Sequence, residues 1–118
     1  MEEFKEISRI LAGEGGRQSV RGWLYNKRSS GGVLFLILRD GTGVIQCVLK
    51  KDKFGEEVYE RIDKLPMESV LEITGVIRED SRAPGGYELL AEDVKVVHEA
   101  AKGFPIAKKY HSPSFLLD

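Results

Sequence analysis

The stretch VLFLILRDGTGVIQCVL, Val33 to Leu49, decides the fold. Two apolar runs flank Asp40-Gly41-Thr42-Gly43, and turn residues between two such runs mark a β-hairpin. Side chains alternate along a strand, so Leu34, Leu36 and Leu38 share one face. Three leucines in register read as an interior, which turns Val33, Phe35, Ile37 and Arg39 outward. In the second run Val44, Gln46 and Val48 share a face. Their register depends on the loop. Four loop residues pair Arg39 with Val44 and Ile37 with Gln46, and make Phe35 and Gln46 diagonal neighbours. A two-residue Asp40-Gly41 turn sets them directly opposite, and a three-residue loop brings Cys47 there instead. An outward phenylalanine beside an amide suits an unpaired nucleobase. The ring stacks on the base face, worth about 1–3 kcal/mol, and the amide has both donor and acceptor for a base edge. The competing reading puts Phe35 in the core and leaves Gln46 an ordinary exposed strand residue.

Upstream, QSVRGWLYN (residues 18–26) sets Val20, Gly22 and Leu24 against Arg21, Trp23 and Tyr25, which predicts a first strand. KRSSGG follows as a basic loop carrying Lys27 and Arg28. Before it, Phe4, Ile7, Ile10 and Leu11 have helical spacing, so residues 1–11 read as a short amphipathic helix ended by GEGG. Downstream, Phe54, Val58, Ile62 and Leu65 predict a helix stopped by Pro66. ESVLEITGVIRE reads as the fourth strand, with Gly75 as a bend or bulge. YELLAEDVKVVHEA reads as the fifth, interrupted near Glu92-Asp93. The order β-β-β-α-β-β is that of an all-β, five-stranded OB-fold Greek-key barrel with a helix between strands three and four. An SH3-like barrel is the alternative. The expected organisation is residues 1–16 as helix and linker, 17–100 as the barrel, and 101–118 as a hinge segment. The tail runs to apolar Phe115-Leu116-Leu117 with nothing after it to pack against, and on that ground a fragment of a longer protein is expected.

The formal net charge of −1 conceals a split. Residues 17–53 hold eight basic and two acidic side chains, whereas residues 54–100 hold five basic and twelve acidic. A polyanion senses one basic face rather than the total. No run approaches the roughly 18 apolar residues of a membrane helix, and the acidic start is not a signal peptide. Cys47 is the single cysteine, so no internal disulfide forms, which fits a reducing cytoplasm. His98 and His111 lack ligand spacing to each other or to Cys47, so no metal is expected. No nucleophile-base grouping, P-loop or HExxH is present, and catalysis by this chain alone is not expected. Arg28 could hold a phosphate or stack as a planar cation. Glu88, in GGYELLAE, could accept a bond from a base N–H. Its bland alternative is a solvated acid on an edge strand.

These pieces together resemble the N-terminal anticodon-binding domain of class IIb aminoacyl-tRNA synthetases, those for aspartate, asparagine and lysine. The resemblance rests on Gly22-Trp23, the basic Lys27-Arg28, and the spaced set Phe35, Arg39-Asp40, Gly43 and Gln46. GVIREDSRAPGGYELLAEDVKVV is similar to the family's last two strands, and FPIAKKYHSPSFLLD resembles its hinge, most closely in the asparaginyl branch. It covers roughly residues 17–118 and implies an OB fold that binds a tRNA anticodon loop, with tRNA for asparagine as partner. Phe35 then stacks on the central anticodon base and Gln46 reads it, a uridine for both asparagine and aspartate. Arg28 and Glu88 contact bases or the adjoining backbone, with Lys27 beside them. It further implies a cytoplasmic, homodimeric parent ligase whose ATP and Mg²⁺ sites lie in a catalytic domain absent here. This piece itself holds no cofactor and is expected to be monomeric. The anticodon-binding domain of an aspartyl-tRNA synthetase, a general single-stranded nucleic-acid binder and a protein-interaction barrel remain the competing functions.

Overall fold

The computed structural model describes residues 4–99 and 104–111. Its elements are α1 (Ile7–Leu11), β1 (Arg17–Ser30), β2 (Val33–Arg39), β3 (Val44–Lys50), α2 (Lys51–Phe54), α3 (Glu56–Asp63), β4 (Val70–Glu79), β5 (Tyr87–Glu99) and β6 (Phe104–His111). β1 pairs antiparallel with β2 and with β4, β2 with β3, and β4 with β5. β3 and β5 run parallel from Gln46↔Glu88 to Val48↔Leu90. That last pairing closes five strands into a ring, the OB-fold arrangement, and β6 extends the sheet beyond β5.

Alternation fills the barrel. Leu34, Leu36 and Leu38 of β2 and Ile45, Cys47 and Leu49 of β3 are fully buried. Each such leucine contributes roughly 1.5–3 kcal/mol relative to exposure. Ile7 and Ile10 of α1 are fully buried in the same core, so the first helix plugs one end of the barrel. The plug is tied to the hairpin loop. Asp40 Oδ2 accepts from the Ile7 amide at 2.9 Å, and Ser8 N–H donates to Thr42 Oγ1 at 3.1 Å. Asp40 Oδ1 meanwhile accepts from the Thr42 amide at 2.8 Å and its hydroxyl at 2.7 Å. These bonds specify the four-residue loop, with Arg39 opposite Val44, Ile37 opposite Gln46 and Phe35 opposite Val48.

Several boundaries differ from expectation. β1 does not end at Asn26. A bulge at Tyr25 resets its alternation, and it runs on to Ser30. The expected loop shrinks to Gly31-Gly32, whose φ values of 56° and 79° give the left-handed two-residue turn that matches strand twist. The helix after β3 is broken at Gly55, where φ is 92°, and Tyr59 is buried beside Phe54, Ile62 and Leu65. The first helix is one turn and a half rather than residues 1–11.

Gly75 does sit at a bulge. Thr74 faces Asp93 and Gly75 faces Ala91, so Glu92 is looped out. A Cβ on Gly75 would lie 2.0 Å from the Leu90 carbonyl oxygen. The expected break in β5 is this bulge, and there the strand changes partners from β3 to β6. Residues 104–111, expected within a hinge, form β6 instead. Pro105 in this stretch obscures its strand character, yet it sits on an edge strand near its start, where a missing N–H is tolerated. Phe115-Leu116-Leu117 lie outside the described residues.

Candidate nucleic-acid interface

The outer face of the β1–β2–β3 meander carries three of the candidate residues, Arg28, Phe35 and Gln46. Because the Tyr25 bulge shifts the phase of β1, Arg28 lies on the outer face directly opposite Phe35. It belongs to a strand, not to a flexible loop. Its guanidinium carbon is 4.2 Å from the Phe35 ring centroid. This is a cation–π pair, worth about 0.5–1 kcal/mol at an exposed site. The pair forms a flat, positively charged platform before any ligand arrives. Phe35 itself is half-buried, packed into the sheet yet still reachable from solvent.

Gln46 stands diagonally beside Phe35, and the parallel β3–β5 pairing sets it opposite Glu88. Gln46 Nε2 donates to Glu88 Oε2 at 3.0 Å. Glu88 Oε1 accepts from Arg78 Nε at 3.0 Å and also from Arg78 Nη2. Glu88 is 1% exposed, so it is a buried, fully partnered carboxylate rather than a solvated acid. A groove of about 360 Å³ opens over this row, with Phe35, Gln46, Val48, Lys50, Arg78 and Arg82 among its lining.

Lys27 stands apart from the other four candidates. The bulge turns it inward, and its Nζ donates to the Leu65 carbonyl at 2.6 Å and to the Asp63 carbonyl. It thereby satisfies orphan carbonyls at the end of α3. Burial pulls its pKa below the ordinary lysine value, against the charge of Asp63. Cys47 is buried beneath Gln46. Burial first, and the charge of Glu88 second, push its thiol pKa far up, so it is no nucleophile.

Sequence reasoning missed Arg78. Nothing in GVIRE distinguishes it from any exposed strand arginine. Only the ring closure brings β4 and β5 together with β3. It also left unremarked a cluster just along the same face. Trp23 and Tyr25 are 36% and 57% exposed, and the Arg39 guanidinium lies 5.8 Å and 5.6 Å from their ring centroids. The signal was present in the outward phase of Trp23 and Tyr25. Among the described residues, no group of three or more His, Cys, Asp or Glu side chains gathers to hold a metal, and no helix is long and apolar enough to cross a membrane.

Residues 18–97 match the family of OB-fold nucleic acid binding domains. Over 99 residues the chain is 46% identical to the asparagine–tRNA ligase of Thermus thermophilus, an overlap of 84% of this chain and 23% of that protein. The asparagine–tRNA ligase of Thermoplasma acidophilum is 43% identical over 104 residues, covering 88% of this chain and 24% of that one. Among solved structures, asparaginyl-tRNA synthetase from Pyrococcus horikoshii complexed with asparaginyl-adenylate superposes with a TM-score of 0.79 at 34% identity. That match covers 100% of this chain and 28% of the other. The chain thus spans about a quarter of the length of the curated relatives it matches.

Proposed function

The chain belongs to the family of OB-fold nucleic acid binding domains, and on that footing we propose that it binds the anticodon loop of the tRNA for asparagine, as the anticodon-binding domain of an asparaginyl-tRNA synthetase. The observation that carries this reading is the Arg28–Phe35 platform beside an amide whose orientation a buried carboxylate fixes. Anticodon-loop bases can be splayed out and unstacked, which is what an aromatic platform with an adjacent edge-reader takes. The central base stacks on Phe35 and is read by Gln46. Arg28 holds the stack and the neighbouring phosphate. Glu88 acts from behind Gln46, and Lys27 braces the strand that carries Arg28. The domain's contribution is positioning and selectivity. Aminoacylation, with its ATP and Mg²⁺, belongs to the remainder of a homodimeric cytoplasmic parent.

The test is a fluorescence titration against anticodon stem-loops GUU, GUC and GAU at two salt concentrations. Tighter binding of GUU than GAU supports reading of the central uridine. Tighter binding of GUU than GUC supports selection of asparagine over aspartate by this domain alone. Equal binding of all three, lost as salt rises, leaves a general single-strand binder held by phosphate contacts. That second reading draws on the exposed Trp23, Tyr25 and Arg39 cluster, which can stack bases without choosing among them.

A further inference from the structure

We propose that Arg78, a residue that touches neither Phe35 nor Gln46 through any hydrogen bond, sets which base the platform accepts by fixing the polarity of the Gln46 amide through Glu88. The inference rests on the reading that a base stacks on Phe35 and is met by Gln46.

Three strands contribute one residue each to a single cross-strand row. Gln46 of β3 faces Glu88 of β5, and Glu88 faces Arg78 of β4. A glutamine amide is symmetric in shape but not in chemistry, since one end accepts and the other donates. Turned by half a revolution, it fits the same space and reads the opposite base edge. Something must therefore choose the orientation. A carboxylate only accepts, so Glu88 Oε2 at 3.0 Å obliges Gln46 to present its NH₂ inward. Gln46 Oε1, with the second N–H beside it, is then the end left for a ligand in the groove. An acceptor at that place favours a base whose ring nitrogen carries hydrogen, uridine N3–H or guanosine N1–H. It disfavours cytidine and adenosine, whose corresponding ring nitrogens are themselves acceptors. The free N–H can serve a flanking base carbonyl.

Glu88 can hold this position only because it is not alone. A carboxylate at 1% exposure needs a partner, and an unpaired one is strongly unfavourable. Arg78 brings two guanidinium nitrogens onto Oε1, which leaves Oε2 for Gln46. The guanidinium thus both compensates the charge and decides which oxygen faces the amide. Its own side chain is 52% exposed, so the charge reaches the buried carboxylate from the groove wall. Without Arg78 the carboxyl is free to turn and admit water, and the amide loses its fixed sense. With Glu88→Gln the partner can donate as well as accept, and either amide orientation is satisfied.

The test uses four anticodon stem-loops that differ at the central base, bound by the unmutated chain and by Arg78→Met, Arg78→Lys and Glu88→Gln. Thermal melting of each variant reports folding. Should Arg78→Met melt early from its orphaned carboxylate, the double variant Arg78→Met with Glu88→Gln removes both charges and keeps the shape. The unmutated chain should favour uridine over cytidine about tenfold, within the discrimination of one good bidentate base contact. Glu88→Gln and Arg78→Met should bring that ratio toward one by gaining cytidine and adenosine binding relative to uridine, and Arg78→Lys should restore part of it. In parallel, the two Gln46 side-chain amide protons should be resolved and shifted in the free unmutated chain and lose that shift in Glu88→Gln. A uridine preference kept in full by folded Glu88→Gln and Arg78→Met overturns the inference alone. So does an equal loss for all four loops with a salt slope lower by about one, the mark of a plain phosphate contact. Equal binding of the four loops by the unmutated chain overturns the parent reading, and this one with it.

Discussion

Two outward faces of one barrel use the same residue types to opposite ends. On the β1–β4–β5 side, Arg21 pairs with Glu72 at 2.5 Å, Arg17 with Glu92 at 2.5 Å, and Ser19 with Thr74 at 2.7 Å. Arg21 and Glu72, and Ser19 and Thr74, are directly opposed and spend their bonding on each other across the strands, and Arg17 adds an ion pair with Glu92. On the β1–β2–β3 side, Arg28 lies on a phenylalanine ring, Arg39 lies near two aromatic rings, and Gln46 lines the groove while its Nε2 donates to Glu88. A cation over an aromatic ring keeps donors for a ligand, whereas a cation closed onto a carboxylate has used them. The basic excess in residues 17–53 is therefore not one uniform surface. Its first two arginines are bound to the acidic strands, Lys27 is engaged at the end of α3, and Arg28 and Lys50 line the groove.

The largest effect should come from a change that breaks both faces at once. Gly75→Ala places a Cβ against the Leu90 carbonyl at the bulge joining β4 to β5. We expect a loss of about 3 kcal/mol in stability, at the upper end for overpacking, read as a drop in the denaturant midpoint. RNA binding should fall with it. Next, Phe35→Ala separates the faces. It should weaken anticodon-loop binding by about 1–3 kcal/mol with little change in melting temperature, and unchanged affinity in a folded variant would refute the stacking role. Gln46→Ala should cost less affinity but flatten the preference at the central base across four loops. On the other face, Arg21→Ala should leave RNA affinity alone and lower stability by at most about 1 kcal/mol, the scale of a part-exposed pair. A marked loss of binding there would erase the distinction between the faces.

The smallest effect concerns acid. Burial raises the Asp40 pKa, but bonds from the Thr42 hydroxyl and from the Ile7, Thr42 and Gly43 amides outweigh it, and the net shift is downward. A group with a depressed folded pKa stabilises above its unfolded value, near 3.9 for aspartate. That contribution is lost as pH falls through the lower folded value. Melting temperature should thus dip slightly more below about pH 4 in the unmutated chain than in Asp40→Asn. Parallel acid curves for the two would count against the loop carboxylate as the tie to α1.

Legibility in the sequence followed the range of the interactions. Alternation is local, so Leu34, Leu36 and Leu38 announced the interior, and Phe35 and Gln46 the outer face. The loop length was not local in the same sense. Asp40 has to bond Thr42, Gly43 and the distant Ile7 to select four residues over two or three. Lys27 and Arg28 are adjacent in sequence and looked equivalent, yet the Tyr25 bulge sends one to the end of α3 and the other to Phe35. No pattern within the strand marks that bulge. Arg78 and Glu88 became meaningful only through ring closure. β6 was hidden because its partner, the second half of β5, is released for it by the looped-out Glu92.

The parallel pairing of β3 with β5 also carries a consequence for folding order. Gln46 and Glu88 are 42 residues apart, and contacts at such separation form after the local hairpins. A chain emerging from the ribosome can complete the β1–β2–β3 meander, with Phe35 and Arg28 in place, before β5 exists. At that stage it has the stacking surface without the carboxylate that orients the amide. Affinity for single strands can therefore precede the ability to choose among them, and selectivity becomes a late-acquired property that reports a closed barrel.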